Sequence, residues 1–425
     1  MLADAQARLR LAFVSNEYVT EASYCGGLAN YLGRVTVALA AAGHDVHVFT
    51  KSNRDEVIDH AGVHVHRVVP WWDRRHLLDR ADRFFKGQWY SPYQDLKLAR
   101  TLYNRWKTEH SKHSFDLVQV ANVMAVGMFF RRVRDIPVVT RLSSYRPLWD
   151  TSAGVPITRG VRTRWRMEKT AIRGIRHTYA PTHHVARLTE KNYGIAEVSI
   201  IETPFFNECD TPDSSIRDQT IGDRPYVLFF GRMTQMKGVD VLADALSTVM
   251  SERADLHAVF VGPDARGPSG GSMRDDVLTR LSEHRSRTHL LDRLPHSQLY
   301  PFIENARVVA IPSRTDNLPN TCLEAMGLGR VVVATTGSCF EQLIEDGRTG
   351  YLVSPDSSCD LASALTVAWD MKPETRQSMG DQAAQRIAKL HPDQAIPALV
   401  EYFRGVIVGH SSGEPVHSNV SASLG

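Results

Sequence analysis

Two carboxylates and two cations at defined spacings mark the places where this chain could do chemistry. Asp316 and Glu324 stand with seven residues between them inside the stretch 312–326, and Arg232 and Lys237 follow Gly231 within six residues. A glycine lets the backbone approach a phosphate, while an arginine and a lysine supply the charge that a diphosphate needs. A helix start adds free backbone N–H groups and a favourable dipole. Acids beside such an anion site suit a ligand with hydroxyls as well as phosphates, such as a nucleotide sugar. A plainer reading also fits these residues. Thr321 and Glu324 have capping-box spacing, Asp316 or Asn317 could form an ordinary Asx turn, and Arg232 and Lys237 could be surface cations.

The elements that must position these groups follow from apolar patterning. Residues 307–311 form a short apolar run that predicts a buried strand, and residues 320–327 predict a helix, with Pro319 suited to its start. The carboxyl end of that strand is where open α/β sheets hold ligands. In the second half, strands are expected at 226–230, 256–262, 288–291, 307–311 and 331–335, with a helix at 239–251. In the first half, strands are expected at 9–14, 45–50, 63–69, 116–121, 137–141, 178–180 and 198–201. Helices are expected at 30–42 and 95–110, and a further one rich in Met and Phe at Met124, Met128, Phe129 and Phe130. This alternation predicts α/β architecture, with two Rossmann-like doubly wound parallel-sheet domains facing a cleft. Gly26 and Gly27 precede the first helix, and their functional reading is close backbone approach to a phosphate or sugar. No G-x-G-x-x-G sequence follows the first strand, which speaks against a dinucleotide-dependent oxidoreductase.

At 425 residues the chain is long enough for two domains, and an apolar content of 43% supports two cores. The expected organisation is an acceptor-binding domain over 1–206, a polar linker over 207–224 and a nucleotide-sugar domain over 225–385. A C-terminal helix over 386–408 packs back on the first domain, and a disordered tail covers 409–425. The formal net charge of +3 gives no case for nucleic acid. Five scattered cysteines without a C-x-x-C pair predict neither disulfides nor a zinc site. The start of the chain lacks the apolar core of a signal peptide, and no run of 18 apolar residues occurs. The expected location is cytoplasmic, with peripheral contact to the inner face of a membrane left open. Two stretches bear on that contact. One is the aromatic and basic segment 71–93, with an expected helix around 76–85. The other is the run 159–176, where seven cations face one acid, Glu168; its plain reading is a solvated helix face. His183 and His184 are placed at a helix start.

Three motifs now occur in order: Gly-Arg-x4-Lys-Gly at 231–238, Pro-Ser-x2-Asp-Asn-Leu-Pro-Asn-Thr-x-Leu-Glu-Ala-Met at 312–326, and Glu-x5-Gly-x2-Gly-x-Leu-Val from Glu341. This order resembles the retaining family 4 glycosyltransferases of GT-B architecture, specifically over 226–353. The resemblance implies that Arg232 and Lys237 bind the donor diphosphate and offset charge on the leaving group. It implies that Glu324 binds ribose hydroxyls and that Asp316 lies near the donor sugar, so that Asp316, Arg232 and Lys237 form the catalytic set. Asn317 and Leu318 would reach sugar hydroxyls through their backbone, Asn320 and Thr321 would meet the phosphates, and Gly231, Gly26 and Gly27 would approach the donor. The donor would be a UDP-, GDP- or ADP-linked sugar, the acceptor is unidentified, and no cofactor or metal is expected. The sequence departs from the family in two ways. The first acid is Asp316 rather than Glu, and the His-Asp pair often found after the strand 137–141 is replaced by Thr140-Arg141-Leu142-Ser143-Ser144. Two alternatives stay open: a sugar-nucleotide epimerase, and a non-catalytic nucleotide-sugar-binding partner subunit.

Overall fold

The computed structural model describes residues 7–21, 27–70, 90–206, 211–268, 270–317 and 320–412. The chain divides into two compact units, residues 1–204 with 392–425 and residues 205–391.

The second unit is a six-stranded sheet: β9 (Tyr226–Phe230), β10 (His257–Val261), β11 (Thr288–Leu291), β12 (Val308–Ile311), β13 (Val332–Thr335) and β14 (Tyr351–Val353). Its order is β11-β10-β9-β12-β13-β14, and every pairing is parallel. The central strands β9, β12 and β13 are buried along their whole length because both faces of the sheet are covered there, while the edge strands β11 and β14 are only partly buried. Alternate residues feed two different cores. Val227, Phe229, Phe260, Val308 and Ala310 join one, while Leu228, Phe230, Val259, Val309 and Ile311 join the other. The chain begins at the sheet centre with β9, runs outward through β10 and β11, and returns to β12 on the other side. The crevice between the carboxyl ends of β9 and β12 is therefore a topological switch point, the usual ligand position in this architecture.

The first unit repeats the plan with eight strands. They are β1 (Arg10–Ser15), β2 (Asp45–Lys51), β3 (Glu56–His60), β4 (Val63–Val68), β5 (Leu117–Ala121), β6 (Val138–Arg141), β7 (His177–Ala180) and β8 (Ser199–Ile200). The order is β3-β4-β2-β1-β5-β6-β7-β8, with only β3 antiparallel to its neighbour. Ala61 (φ 51°) and Gly62 (φ 81°) make the tight β3–β4 turn, and Asp59 accepts the Gly62 N–H at 3.3 Å. The helix Pro392–Ser412 places Leu399, Tyr402, Phe403 and Val406 on one face. That face closes the core of the first unit, with the Phe403 ring 6.3 Å from Phe13 and the Tyr402 ring 5.4 Å from Tyr179.

Several expectations need correction. The helix rich in Met and Phe is two 3-10 turns, Val123–Met128 and Phe130–Arg132. Met124 and Ala125 have φ near +50°, which an α-helix excludes, and the Met124 N–H donates to the buried Glu168 carboxyl at 2.9 Å. The stretch taken as a linker is packed: Ser215–Thr220 is a helix, and Ile221 is buried in the second unit's core. The expected helix over 386–408 is two helices, Pro373–Ala388 in the second unit and Pro392–Ser412 in the first. Residues 409–412 are helical rather than tail. His183 and His184 do stand at a helix start, that of His183–Tyr193, whose cap is Thr182, accepting the Val185 N–H. Edge strands β3 and β14 were not foreseen. The aromatic segment from Trp71 to Trp89, Gly26, Leu318, Pro319 and the chain beyond Ser412 lie outside the described residues.

Candidate functional site

Two loops at the switch point are locked together by one glycine. Beyond β9 the backbone turns at Gly231 (φ 128°) and enters a 3-10 turn, Gln235–Lys237, whose cap Thr234 accepts the Lys237 N–H at 3.3 Å. Gly238 (φ 68°) then opens the helix Val239–Glu252. A Cβ on Gly238 would lie 1.9 Å from the Pro312 carbonyl oxygen, so only glycine lets this loop meet the loop after β12. The Arg314 N–H donates to the Met236 carbonyl at 2.9 Å. The Arg314 guanidinium grips both Asp240 carboxylate oxygens at 2.8 and 3.0 Å and also pairs with Asp356.

Those loops bring the charged set together. Lys237 Nζ is ion-paired with Asp316 Oδ2, and Asp316 is 6% exposed. Asp316 also accepts the N–H of Asn317 at 3.0 Å. The helix Asn320–Gly327 starts beside them; a Cβ on Gly231 would stand 3.6 Å from Thr321 Cγ2. Thr321 is the second residue of that helix rather than the residue before it, which removes the capping-box pairing with Glu324. Glu324 lies one turn further on, is 8% exposed, and has Oε1 3.6 Å from His296 Nε2. Arg232 is exposed and makes no ion pair among the described residues. The structure thus gathers Gly231, Lys237, Asp316, Asn317, Asn320, Thr321 and Glu324 at the ends of β9 and β12. Gly27, the first residue of the helix Gly27–Ala41, belongs to the first unit, and no atom lies within 4 Å of its absent Cβ.

Four nearby residues had no role in the sequence reading. Arg314 fastens the two loops, and its signal was an acid, Asp240, in the first turn of the helix that follows Lys237. His296 reaches Glu324 only through the folded sheet. The hydroxyls of Ser313 and Ser338, after β12 and β13, are buried without a hydrogen-bond partner among the described residues. Cys322 and Cys339 are buried here too, and burial with the Asp316 charge pushes both thiols above their ordinary pKa, so neither is a nucleophile.

In the first unit, Arg141 ends β6 where a histidine was expected. It is 5% exposed, and its guanidinium lies 3.5 Å above the Tyr31 ring. Its N–H groups donate to Ser143 Oγ at 2.9 Å and Thr203 Oγ1 at 3.1 Å, so hydroxyls and a ring face satisfy the buried cation. Glu168, on the buried face of the helix Arg159–Arg173, has Arg146 at 3.4 Å. Arg164 of that helix is held by Asp95 at 2.5 Å, while Arg159, Arg162, Arg166 and Arg173 are exposed.

Two doubly wound sheets with a polar, cation-bearing crevice at the end of the second define the GT-B architecture of nucleotide-sugar enzymes. The family description "Glycosyltransferase Family 4" matches residues 25–205, and "Glycosyl transferases group 1" matches residues 224–370. The chain belongs to these family 4, group 1 glycosyltransferases. It is 24% identical over 408 residues to the D-inositol 3-phosphate glycosyltransferase of Paenarthrobacter aurescens, spanning 90% of this chain and 94% of the relative. Among solved structures it resembles sucrose-phosphate synthase from Thermosynechococcus elongatus, with a TM-score of 0.71 at 19% identity over 95% of this chain and 100% of that one. It also resembles Anabaena HepE in complex with UDP-glucose, with a TM-score of 0.66 at 16% identity over 93% and 100% of the two chains.

Proposed function

We propose that the chain is a retaining, metal-independent glycosyltransferase that moves a hexosyl group from a nucleotide sugar to an acceptor hydroxyl. The observation that carries this reading is the convergence of Lys237, Asp316, Thr321 and Glu324 on the switch point between β9 and β12. The helix N-terminus, Lys237 and Arg232 receive the diphosphate and stabilise the charge that develops as it leaves, so that fixed cations do what a metal ion would otherwise do. Glu324 takes the ribose hydroxyls, and Asp316, Asn317 and Leu318 take the sugar. The acceptor oxygen bonds to the anomeric carbon on the face from which the phosphate oxygen departs. The acceptor proton passes to that phosphate oxygen, which accounts for the absence of a dedicated base. The resemblance also assigns Gly26 and Gly27 to the donor.

Sucrose-phosphate synthase and the UDP-glucose complex of HepE make UDP-glucose the first donor to test, and the name of the P. aurescens relative makes D-inositol 3-phosphate the first acceptor. UDP-, GDP- and ADP-sugars are screened by thermal shift, and products are then identified by mass spectrometry. The double variant Arg232→Ala with Lys237→Ala is expected to lose transfer; unchanged turnover sinks the assignment. The absence of the expected His-Asp pair favours a second reading, a donor-binding subunit without turnover, and tight donor binding with no product over any acceptor would support it. An altered sugar in the nucleotide pool without acceptor would indicate an epimerase. No helix among the described residues is long and apolar enough to cross a membrane. The exposed arginines of the helix Arg159–Arg173 support a cytoplasmic enzyme that touches an anionic membrane surface, and flotation with anionic liposomes tests that contact.

A further inference from the structure

The amino ends of the second sheet carry a different concentration of charge. Arg217, Arg224, Arg307, Arg330 and Arg376 line a single cavity of about 310 Å³, at the small end of the roughly 300–1,000 Å³ typical of ligand pockets. Two carboxylates share its wall, Asp223 and Glu304, so five positive groups face two negative ones. The cavity is built at the start of β9, at Tyr226, and just before β12 and β13, at Arg307 and Arg330. The donor loops leave the opposite ends of these same strands. Strands of four or five residues rise about 3.3 Å per residue, which separates the two sites by roughly 13–17 Å.

The guanidinium groups are anchored largely by backbone carbonyls. Arg307 donates to the Trp369 carbonyl at 2.8 Å, Arg330 to that of Leu328 at 3.1 Å, and Arg217 to that of Gly222 at 2.8 Å. Each arginine has five N–H donors, so these anchors fix the side chains while leaving donors for a ligand. Arg217 also pairs with Asp218 at 2.7 Å and with Asp223 at 3.8 Å, while its Nε is buried without a hydrogen-bond partner among the described residues. Arg330 and Arg376 form no ion pair with any carboxylate among the described residues. Burial lowers the pKa of both, and the charges of Arg307 and Arg330 lower that of Arg376 further. The Glu304 and Asp381 charges partly offset this at Arg330, whereas Arg376 faces two like charges, and an anion between them would relieve that repulsion.

We propose that this cavity is a second, separate binding site for a small multivalent phosphate, whether inorganic or carried on a phosphorylated metabolite. Forked guanidinium donors match phosphate oxygens in pairs, and several together favour a dianion or higher over a monoanion such as chloride.

The test is calorimetric titration of the full chain with inorganic pyrophosphate, alongside Lys237→Ala, Arg330→Met with Arg376→Met, and Arg224→Ala. The expected result is a binding event that persists in Lys237→Ala and is lost in the double arginine variant. Arg224 is exposed, so Arg224→Ala should leave the fold intact and weaken this event roughly tenfold. Replacing pyrophosphate by phosphate and then by glucose 6-phosphate distinguishes a free anion from a phosphorylated metabolite by which binds tighter. The proposal is overturned if the only pyrophosphate binding disappears with Lys237→Ala, or if Arg224→Ala and the double variant bind as the parent does.

Discussion

Lys237 and Asp316, 79 positions apart in the sequence, form an ion pair that joins the loops at the carboxyl ends of β9 and β12. The cation suited to a diphosphate is thus already neutralised by the acid assigned to the sugar, and a diphosphate arriving here replaces one anionic partner of Lys237 with another. Asp316→Asn leaves Lys237 uncompensated. Nucleoside diphosphate should then bind several-fold tighter by calorimetry, while transfer should fall on the order of 10²–10³-fold if Asp316 holds the sugar as proposed. A parallel fall in affinity and turnover would contradict this exchange.

Gly238 combines a left-handed backbone with close approach to the Pro312 carbonyl. Gly238→Ala should cost at least about 2 kcal/mol of unfolding free energy in urea. Donor affinity should fall with it, because the loops that bring Lys237 to Asp316 are pushed apart. A variant of unchanged stability would mean that the backbone yields there at little cost.

His47 and His66 are buried in the first unit with Nδ1 of one 2.9 Å from Nε2 of the other. Burial lowers His47 to about 4 and His66 to about 3, aided by neighbouring positive groups. The unfolded chain binds protons near pH 6.5 where the folded chain does not, so stability falls as pH drops from about 6.5 towards 4. His66→Phe, which keeps the stack on Phe49, should show a smaller loss of urea midpoint between pH 7.5 and pH 5 than the parent. An equal loss in both would place the acid sensitivity elsewhere.

Glu168 works in the opposite sense. Burial raises it to about 7 despite Arg146 and the Met124 N–H. The folded chain therefore holds a proton that the unfolded chain releases near the ordinary carboxyl value. The stabilising contribution is complete below about 4.5 and is lost as pH rises through 7. Glu168→Gln keeps the shape and removes the titration, so its melting temperature should decline less between pH 5.5 and 8 than that of the parent.

Much of the second unit was legible because its central strands are apolar runs buried on both faces, with partly buried edge strands beside them. Residues 226–230 and 288–291 fall on β9 and β11 without adjustment. The helix Asn320–Gly327 was equally clear from the apolar residues that follow its polar start. β3 was not legible, because its alternating exposed residues become a strand only by pairing with β4. The 3-10 turns at Val123–Met128 carry a helix-like composition, but the contact that reshapes them is Glu168, 44 residues away. At the site, residue types and spacings identified Lys237 and Asp316 but not their mutual contact. Arg314 and the buried hydroxyls of Ser313 and Ser338 become visible only once separate loops meet.

The position of the last helix also has a consequence for biosynthesis. The core of the first unit includes Ile396, Leu399, Tyr402, Phe403 and Val406, yet the chain makes all of the second unit, residues 205–391, before it reaches them. At translation rates of about 5–20 residues per second, the nascent first unit waits roughly 10–40 s with the face around Phe13 and Tyr179 uncovered. In that interval the ribosome presents an apolar surface that only the helix Pro392–Ser412 can close, and a chaperone that binds such surfaces has its longest opportunity there.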